Sequence, residues 1–353
     1  MDHMRVLKRA WQITWRYRAL WIFGIILALV AGGGRGGGGG GGGGAPSGDE
    51  VQYNLDAEDF SWVPESLPEI SPAMMNTLIG IGIAIGCVVL LLVVASVIAR
   101  YVAETSLIRM VDDYEETGVE QSIGQGFRMG WSQAAWRLFL IDLVIIIPTA
   151  LAFIVLFAVA LSPFLVWMVE STALRVIGTV AGIGLFFLVI LLLIVVGVTL
   201  KLLKRFFWRS CALETMTVGE SIRAGYDLVR QNLKDVAIMW LIMVGLGLAW
   251  AIVMIPIGLL LVFAASLVGG LPALLVGGLA SLFTEGAVAW ILAAAVGVPL
   301  FMVTLIVPLV FLSGLFEVYR SSTWTLTYRE LRALEDVTEL DELPDELEEP
   351  EAI

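Results

Sequence analysis

Long apolar runs alternate with short charged segments along this chain, and the length of those runs is the first guide to its fold. A helix needs about 20 apolar residues to cross the hydrocarbon core of a bilayer. Six runs approach or exceed that length: residues 19–31, 73–99, 138–169, 176–200, 236–268 and 287–316. The first is short but extends backwards through Trp11 and Trp15. A weaker stretch, 271–283, is too short to cross comfortably and reads as a re-entrant or interfacial piece, or an extension of its neighbours. The pattern predicts an all-α integral membrane protein with six transmembrane helices.

Orientation follows from the basic residues, which favour the cytoplasmic side of short loops. Of the 21 Lys and Arg residues, 19 fall in alternate segments; only Arg35 and Arg175 fall in the others. Both termini are therefore expected in the cytoplasm, with the plasma membrane as the location. Trp11, Trp15, Trp21, Trp131, Trp136, Trp208, Trp240 and Trp324 fall near the inner ends of the runs, Trp167 and Trp290 near the outer ends, and Trp250 nearer mid-span. Amphipathic rings favour interface depth. Residues 31–33 offer a small-residue cleavage site after the first run. The long basic segment with two Trp before it favours an uncleaved anchor instead.

Two polar segments repeat about one hundred residues apart. Residues 117–127 and 217–226 both open with Thr-x-x-Glu, a capping-box pattern, and continue Ser-Ile-x-x-Gly-aromatic. Apolar positions follow at matching intervals: Val119, Ile123, Phe127, Gly130 and Ala134, then Val218, Ile222, Tyr226, Val229 and Leu233. That spacing marks one helix face. Each copy is expected to lie at the membrane interface as an amphipathic helix, with Ile222, Arg223, Tyr226 and Arg230 as interface residues of the second. Leu7, Trp11 and Trp15 suggest a degenerate third copy. The chain then divides into three parallel hairpin units, 1–104, 105–205 and 206–317, and a cytoplasmic segment, 318–353. Like-oriented repeats argue against inverted-repeat transporters. The carrier pattern of three two-span repeats fails at Pro148, which is followed by no charge.

The Ser221–Asn232 helix ahead of a hairpin, with Trp324-Thr-Leu-Thr-Tyr-Arg-Glu-Leu331 after the last run, resembles uncharacterised bacterial multi-pass proteins. These are similar to the membrane domain attached to some glycerophosphodiester phosphodiesterases. The resemblance implies six spans and proximity to lipid. It supplies no catalytic residue, and the soluble phosphodiesterase domain is absent from this sequence.

Composition narrows the chemistry. Hydrophobic residues make up 59% and charged residues only 15%, against about 25% in an ordinary soluble domain. One His (His3) and two Cys (Cys87, Cys211) cannot assemble a zinc site or a His-dependent nucleophile. No catalytic, cofactor-binding or metal-binding residue is expected, nor a nucleic-acid partner. The net charge of −12 is concentrated: residues 335–353 hold ten acids and no base, and are expected to form a disordered tail. A Gly run over residues 32–44, expected to be a flexible tether, and seven further acids fall in an outer loop over residues 32–72.

Ionisable residues at membrane depth mark functional sites by default. The candidates here are Asp142, expected to reach Arg137 or water; Glu285 at an outer boundary; and Glu317 with Arg320, an i,i+3 pair at an inner end. Small residues such as Gly80, Gly82, Gly86, Gly245 and Gly247 would permit close helix packing. The expected role is non-enzymatic: a lipid-interacting or scaffold protein, with membrane lipids and, through the acidic tail, a protein as partners. The alternative is a transporter or channel for an apolar or lipid-like substrate.

Overall fold

The computed structural model describes residues 1–32, 72–163, 165, 171–283 and 288–341. Among them are nine α-helices and no strand. They are α1 (His3–Arg16), α2 (Ala19–Gly32), α3 (Pro72–Thr117), α4 (Ile123–Gly130), α5 (Gln133–Leu161), α6 (Thr172–Leu213), α7 (Val218–Gln231), α8 (Leu233–Ala280) and α9 (Val288–Asp341). Helices α3, α5, α6, α8 and α9 are long and apolar enough to cross a membrane. The bent pair α1–α2, which turns by 98°, brings the number to six if it counts as one span. Residues 33–71, expected to form an outer loop, Trp167, Glu285 and the residues beyond 341 lie outside the described residues.

Several helices run well past the ends of their apolar runs. Helix α9 has 54 residues and α3 has 46, or about 80 and 70 Å at 1.5 Å per residue. A bilayer core is only about 30 Å thick. The excess forms a packed base. Along α3 nearly every residue from 79 to 98 is exposed, whereas Tyr101, Val102, Ala103, Leu107, Ile108 and Met110 are buried. Along α6 the same switch separates the exposed residues 194–199 from the buried residues 206–212. The change falls where charges first appear, at Arg100, Lys201 and Glu317, and this level is termed the charge boundary below. The hydrophobic core thus lies mostly beyond the long apolar spans, with Leu20, Phe23 and Leu27 of α2 and Met239 and Met243 of α8 joining it.

Helix α9 passes through the middle of the base. Ser322, Thr323, Thr325 and Thr327 are fully buried, as is Trp324. The three threonines bond back to the carbonyls of Tyr319, Ser321 and Thr323, satisfying their hydroxyls within the helix. Small side chains so satisfied let neighbouring helices approach from several sides. This accounts for the Thr-Leu-Thr-Tyr motif without invoking chemistry. Trp208 and Trp324 were expected at the membrane interface; both are core residues, at 8% and 1% exposure.

Helices α4 and α7 fold back along the helices before them. Gly126 sits against Met110 and Gly130 against Val102 and Ser106, so α4 runs antiparallel to α3. Gly225 sits against Phe206 and Phe207, and Ser221 near Cys211, so α7 runs antiparallel to α6. Neither lies flat across the spans as the periodicity suggested. The face turned inward carries Ser221, Gly225, Leu228 and Val229 on α7 and Gly126 and Gly130 on α4. The large apolar residues Val119, Ile123, Phe127 and Tyr226 remain exposed. The first copy is also capped later than its sequence suggested. Helix α3 extends through Thr117 and is closed by Gly118 at φ 70°, and the capping box forms at Ser122 and Gln125. In the second copy Thr217 and Glu220 form the expected box. Glu220 accepts the Thr217 backbone N–H at 3.0 Å, which holds its carboxyl below the usual range.

Helices α8 and α9 form an antiparallel pair whose register is set by small residues. Gly269 meets Gly297 and Phe301, Gly297 meets Ala273, and Gly277 meets Ala293. In that register Trp250 stacks on Phe316 at 5.1 Å, which places it at the charge boundary, not mid-span. The stretch 271–283 is accordingly the outer continuation of α8, broken only by a turn after Ala280. Residues 236–249 of α8 run beside the α9 extension. Gly80, Gly82, Gly86, Gly245 and Gly247, expected to pack, have nothing within 4 Å of a Cβ position. Gly24 and Gly314 supply a close approach that the pattern did not indicate.

Candidate functional site

Of the ionisable residues that the sequence singled out, the charge boundary holds Asp142, Glu317 and Arg320. Asp142 lies nine residues into α5, is 2% exposed, and is fully engaged. Tyr101 of α3 donates its hydroxyl to Oδ2 at 2.8 Å, Lys204 of α6 donates to the same oxygen at 2.6 Å, and Trp208 Nε1 donates to Oδ1 at 3.1 Å. Lys204 also stands over the Trp208 ring at 4.5 Å. One carboxylate therefore ties three helices together. A buried charge survives only when paired and hydrogen-bonded, and these donors meet that condition.

Arg137 is not the partner of Asp142. It points to the turn before α7 and donates to the carbonyls of Thr215 and Met216 at 2.6 and 3.1 Å. Thr215 adopts a left-handed conformation, φ 52°, just after the α6 C-cap. Arg137 thereby satisfies carbonyls that the helix end leaves without partners. The sequence did not indicate Lys204 and Trp208 as the partners of Asp142; the available signal was their i,i+4 spacing, which places them on one face of α6.

Glu317 and Arg320 do form the expected pair, at 2.7 Å on α9. Beside them Arg209 is 2% exposed and donates to the carbonyls of Arg205 and Ser321 at 2.8 and 3.0 Å. Arg205 lays its guanidinium over the Trp324 ring at 4.9 Å. Ser321 donates to Glu104 at 3.4 Å. Below this layer, ion pairs lock the helix extensions. Arg329 reaches Asp112, Arg332 lies 3.5 Å from Glu214, and Arg9 bonds Glu115 at 2.7 Å. Tyr17, at the corner between α1 and α2, donates to the Gln121 carbonyl at 3.0 Å; burial pushes its hydroxyl up to about 12.

Aromatic rings surround the same level. Trp11 contacts Tyr319, Trp15 contacts Trp21, and Trp21 contacts Phe311. Trp136 stacks near Phe139, which meets Tyr101. Trp131 follows the Gly130 contact with Val102. Trp11, Trp15, Trp131 and Trp136 are 49–63% exposed. Of the interface residues chosen on α7, Arg223, Tyr226 and Arg230 are exposed and Ile222 is half-buried. Higher up, an open apolar groove between α5 and α6, about 440 Å³, is lined by Phe153, Phe157, Phe186 and Val189 among others. Among the described residues, no three His, Cys, Asp or Glu side chains are placed to share a metal ion.

A family model described as a family of unknown function, DUF7544, matches residues 10–339. No curated protein and no solved structure matches the chain. Nothing in these comparisons links it to the phosphodiesterase membrane domains that its motifs resemble.

Proposed function

From the premise that this chain belongs to DUF7544, a family of unknown function, we propose that it is a non-enzymatic integral membrane protein that engages the lipid of the inner leaflet. In this reading the packed base sits at the cytoplasmic side of the plasma membrane with both termini. The observation that carries it is the ring of Trp side chains at the charge boundary. Trp11, Trp15, Trp131 and Trp136 are turned away from the core at the level where the apolar spans end. Indole rings gain most at headgroup depth, where one edge meets hydrocarbon and the N–H meets water. The outward stripe of Ile123 and Phe127 on α4 extends the same apolar surface below that level. The first two hairpin units supply these pieces of one collar, and exposed Tyr226 on α7 adds one from the third. The acidic segment after Glu335 serves as the attachment point for a protein partner. The apolar groove between α5 and α6 favours a second reading, passage or storage of a lipid-like molecule, but no charged group lines it.

The test replaces Phe127, Trp131 and Trp136 together by Ser and measures phospholipid retained per protein in a gentle detergent. These side chains are exposed, so the fold is expected to persist. Retained lipid should fall while thermal stability holds. Unchanged lipid retention would remove the reading.

A further inference from the structure

The charge boundary holds more positive charge than its carboxylates can match. Five basic side chains, Arg100, Lys204, Arg205, Arg209 and Arg320, meet three carboxylates, Glu104, Asp142 and Glu317. They form one cluster: Arg100 and Glu104 are within electrostatic reach of Lys204, and Arg320, Arg209, Glu317 and Glu104 within reach of Arg205. The carboxylates are already committed. Asp142 holds Lys204, Glu317 holds Arg320, and Glu104, which accepts the Ser321 hydroxyl, is shared between Arg205 and Arg209. Arg205 lies against an aromatic ring, and Arg209 spends two donors on carbonyls. Its Nε is buried and without a partner among the described residues. Like charges gathered beside apolar surface repel at low dielectric, and an anion is the group that would relieve them.

We propose that this cluster binds the phosphate-bearing headgroup of an anionic phospholipid, with the acyl chains against the exposed apolar flanks of α3 and α6. The proposal rests on the lipid-engaging reading above and names the headgroup. Two features select a lipid over a free anion. First, the cluster is open at its rim, where the Lys204 and Arg320 side chains are 22% and 30% exposed. Second, the helices that meet at the cluster carry bare apolar surface directly above it. Residues 79–95 of α3 and 194–199 of α6 are exposed, while 101–103 and 206–212 are buried. A ligand reaching this place meets hydrocarbon-like walls above and guanidinium groups below. Arginine suits the lower part, since its planar fork matches phosphate oxygens.

The experiment uses the full chain, delipidated in gentle detergent. It is titrated by native mass spectrometry with dioleoyl phosphatidylglycerol or dioleoyl phosphatidylcholine, with inorganic phosphate as competitor. Preferential uptake of the glycerol lipid is expected. Arg205→Gln and Arg320→Gln should each weaken it about fivefold while leaving choline-lipid uptake unchanged. Lys8→Gln, an exposed basic residue outside the cluster, should have no effect. Arg100→Gln takes the place of Arg205→Gln if that variant fails to fold. Equal uptake of the two lipids, or variants that bind as wild type, would overturn the headgroup site and leave the broader lipid reading standing. Uptake of neither lipid would sink both. Displacement by phosphate at matching concentration would reassign the cluster to a free anion and overturn the lipid proposal.

Discussion

Asp142 shows how much a single residue's meaning depends on its neighbours. In the sequence it is a lone carboxylate within an apolar run, the ordinary mark of a pathway. In the structure Tyr101, Lys204 and Trp208 consume it, and the result is a knot joining α3, α5 and α6. Asp142→Asn should therefore act on stability. It keeps the shape but leaves Lys204 half-buried without its counter-charge, at a cost of about 2 kcal/mol. A clearly lower midpoint of thermal unfolding in detergent is the expected result. An unchanged midpoint would mean that the knot contributes nothing. The position of Asp142 in the chain was legible from sequence, but its partner was not, because Lys204 is 62 residues away and no local spacing links them. Glu317 and Arg320, three residues apart on one helix, were legible as a pair because the link is local.

At the scale of elements, the apolar runs located the helices, yet they gave too little weight to what happens beyond their ends. Hydropathy marks where a helix can meet lipid and is silent on how far it continues into a polar base. It also leaves register free within a long uncharged run such as that of α8; the Gly269, Ala273 and Gly277 stripe decides it, and with it the depth of Trp250. The motif helices α4 and α7 carry a similar lesson. Their periodicity marked a face expected at the membrane interface; the buried residues are Gly126 and Gly130 on α4 and Ser221, Gly225, Leu228 and Val229 on α7. A Cβ at Gly130 would stand 2.0 Å from Ser106 Oγ and 2.4 Å from the Val102 carbonyl, and one at Gly225 would stand 2.7 Å from the Phe207 ring. Gly130→Ala and Gly225→Ala should each destabilise the protein by about 1–3 kcal/mol. Gly82→Ala, in open space on α3, should be neutral or slightly stabilising because alanine is the better helix former. Equal effects at all three positions in a thermal-unfolding comparison would contradict this packing.

For the molecule as a whole, the arrangement inverts the usual picture of a multi-pass bundle. The spans expose most of their surface, and the densest packing lies beyond them, around the buried α9 extension. The net charge of −12 describes neither part, since ten of the acids fall after residue 334. What defines the structure is the boundary itself: charges begin, burial switches and Trp side chains gather at one level. The account stands on that level being the headgroup region of a bilayer. Depth-dependent fluorescence quenching reads it most directly. Single labels are placed by Trp131→Cys, Trp136→Cys or Val119→Cys, with Cys87 and Cys211 replaced, in vesicles containing brominated phospholipid. Labels at 131 and 136 should be quenched most by bromines near the headgroup, and the label at 119, at the far end of the base, by aqueous iodide. Quenching of all three by iodide, with none by brominated lipid, would contradict the account.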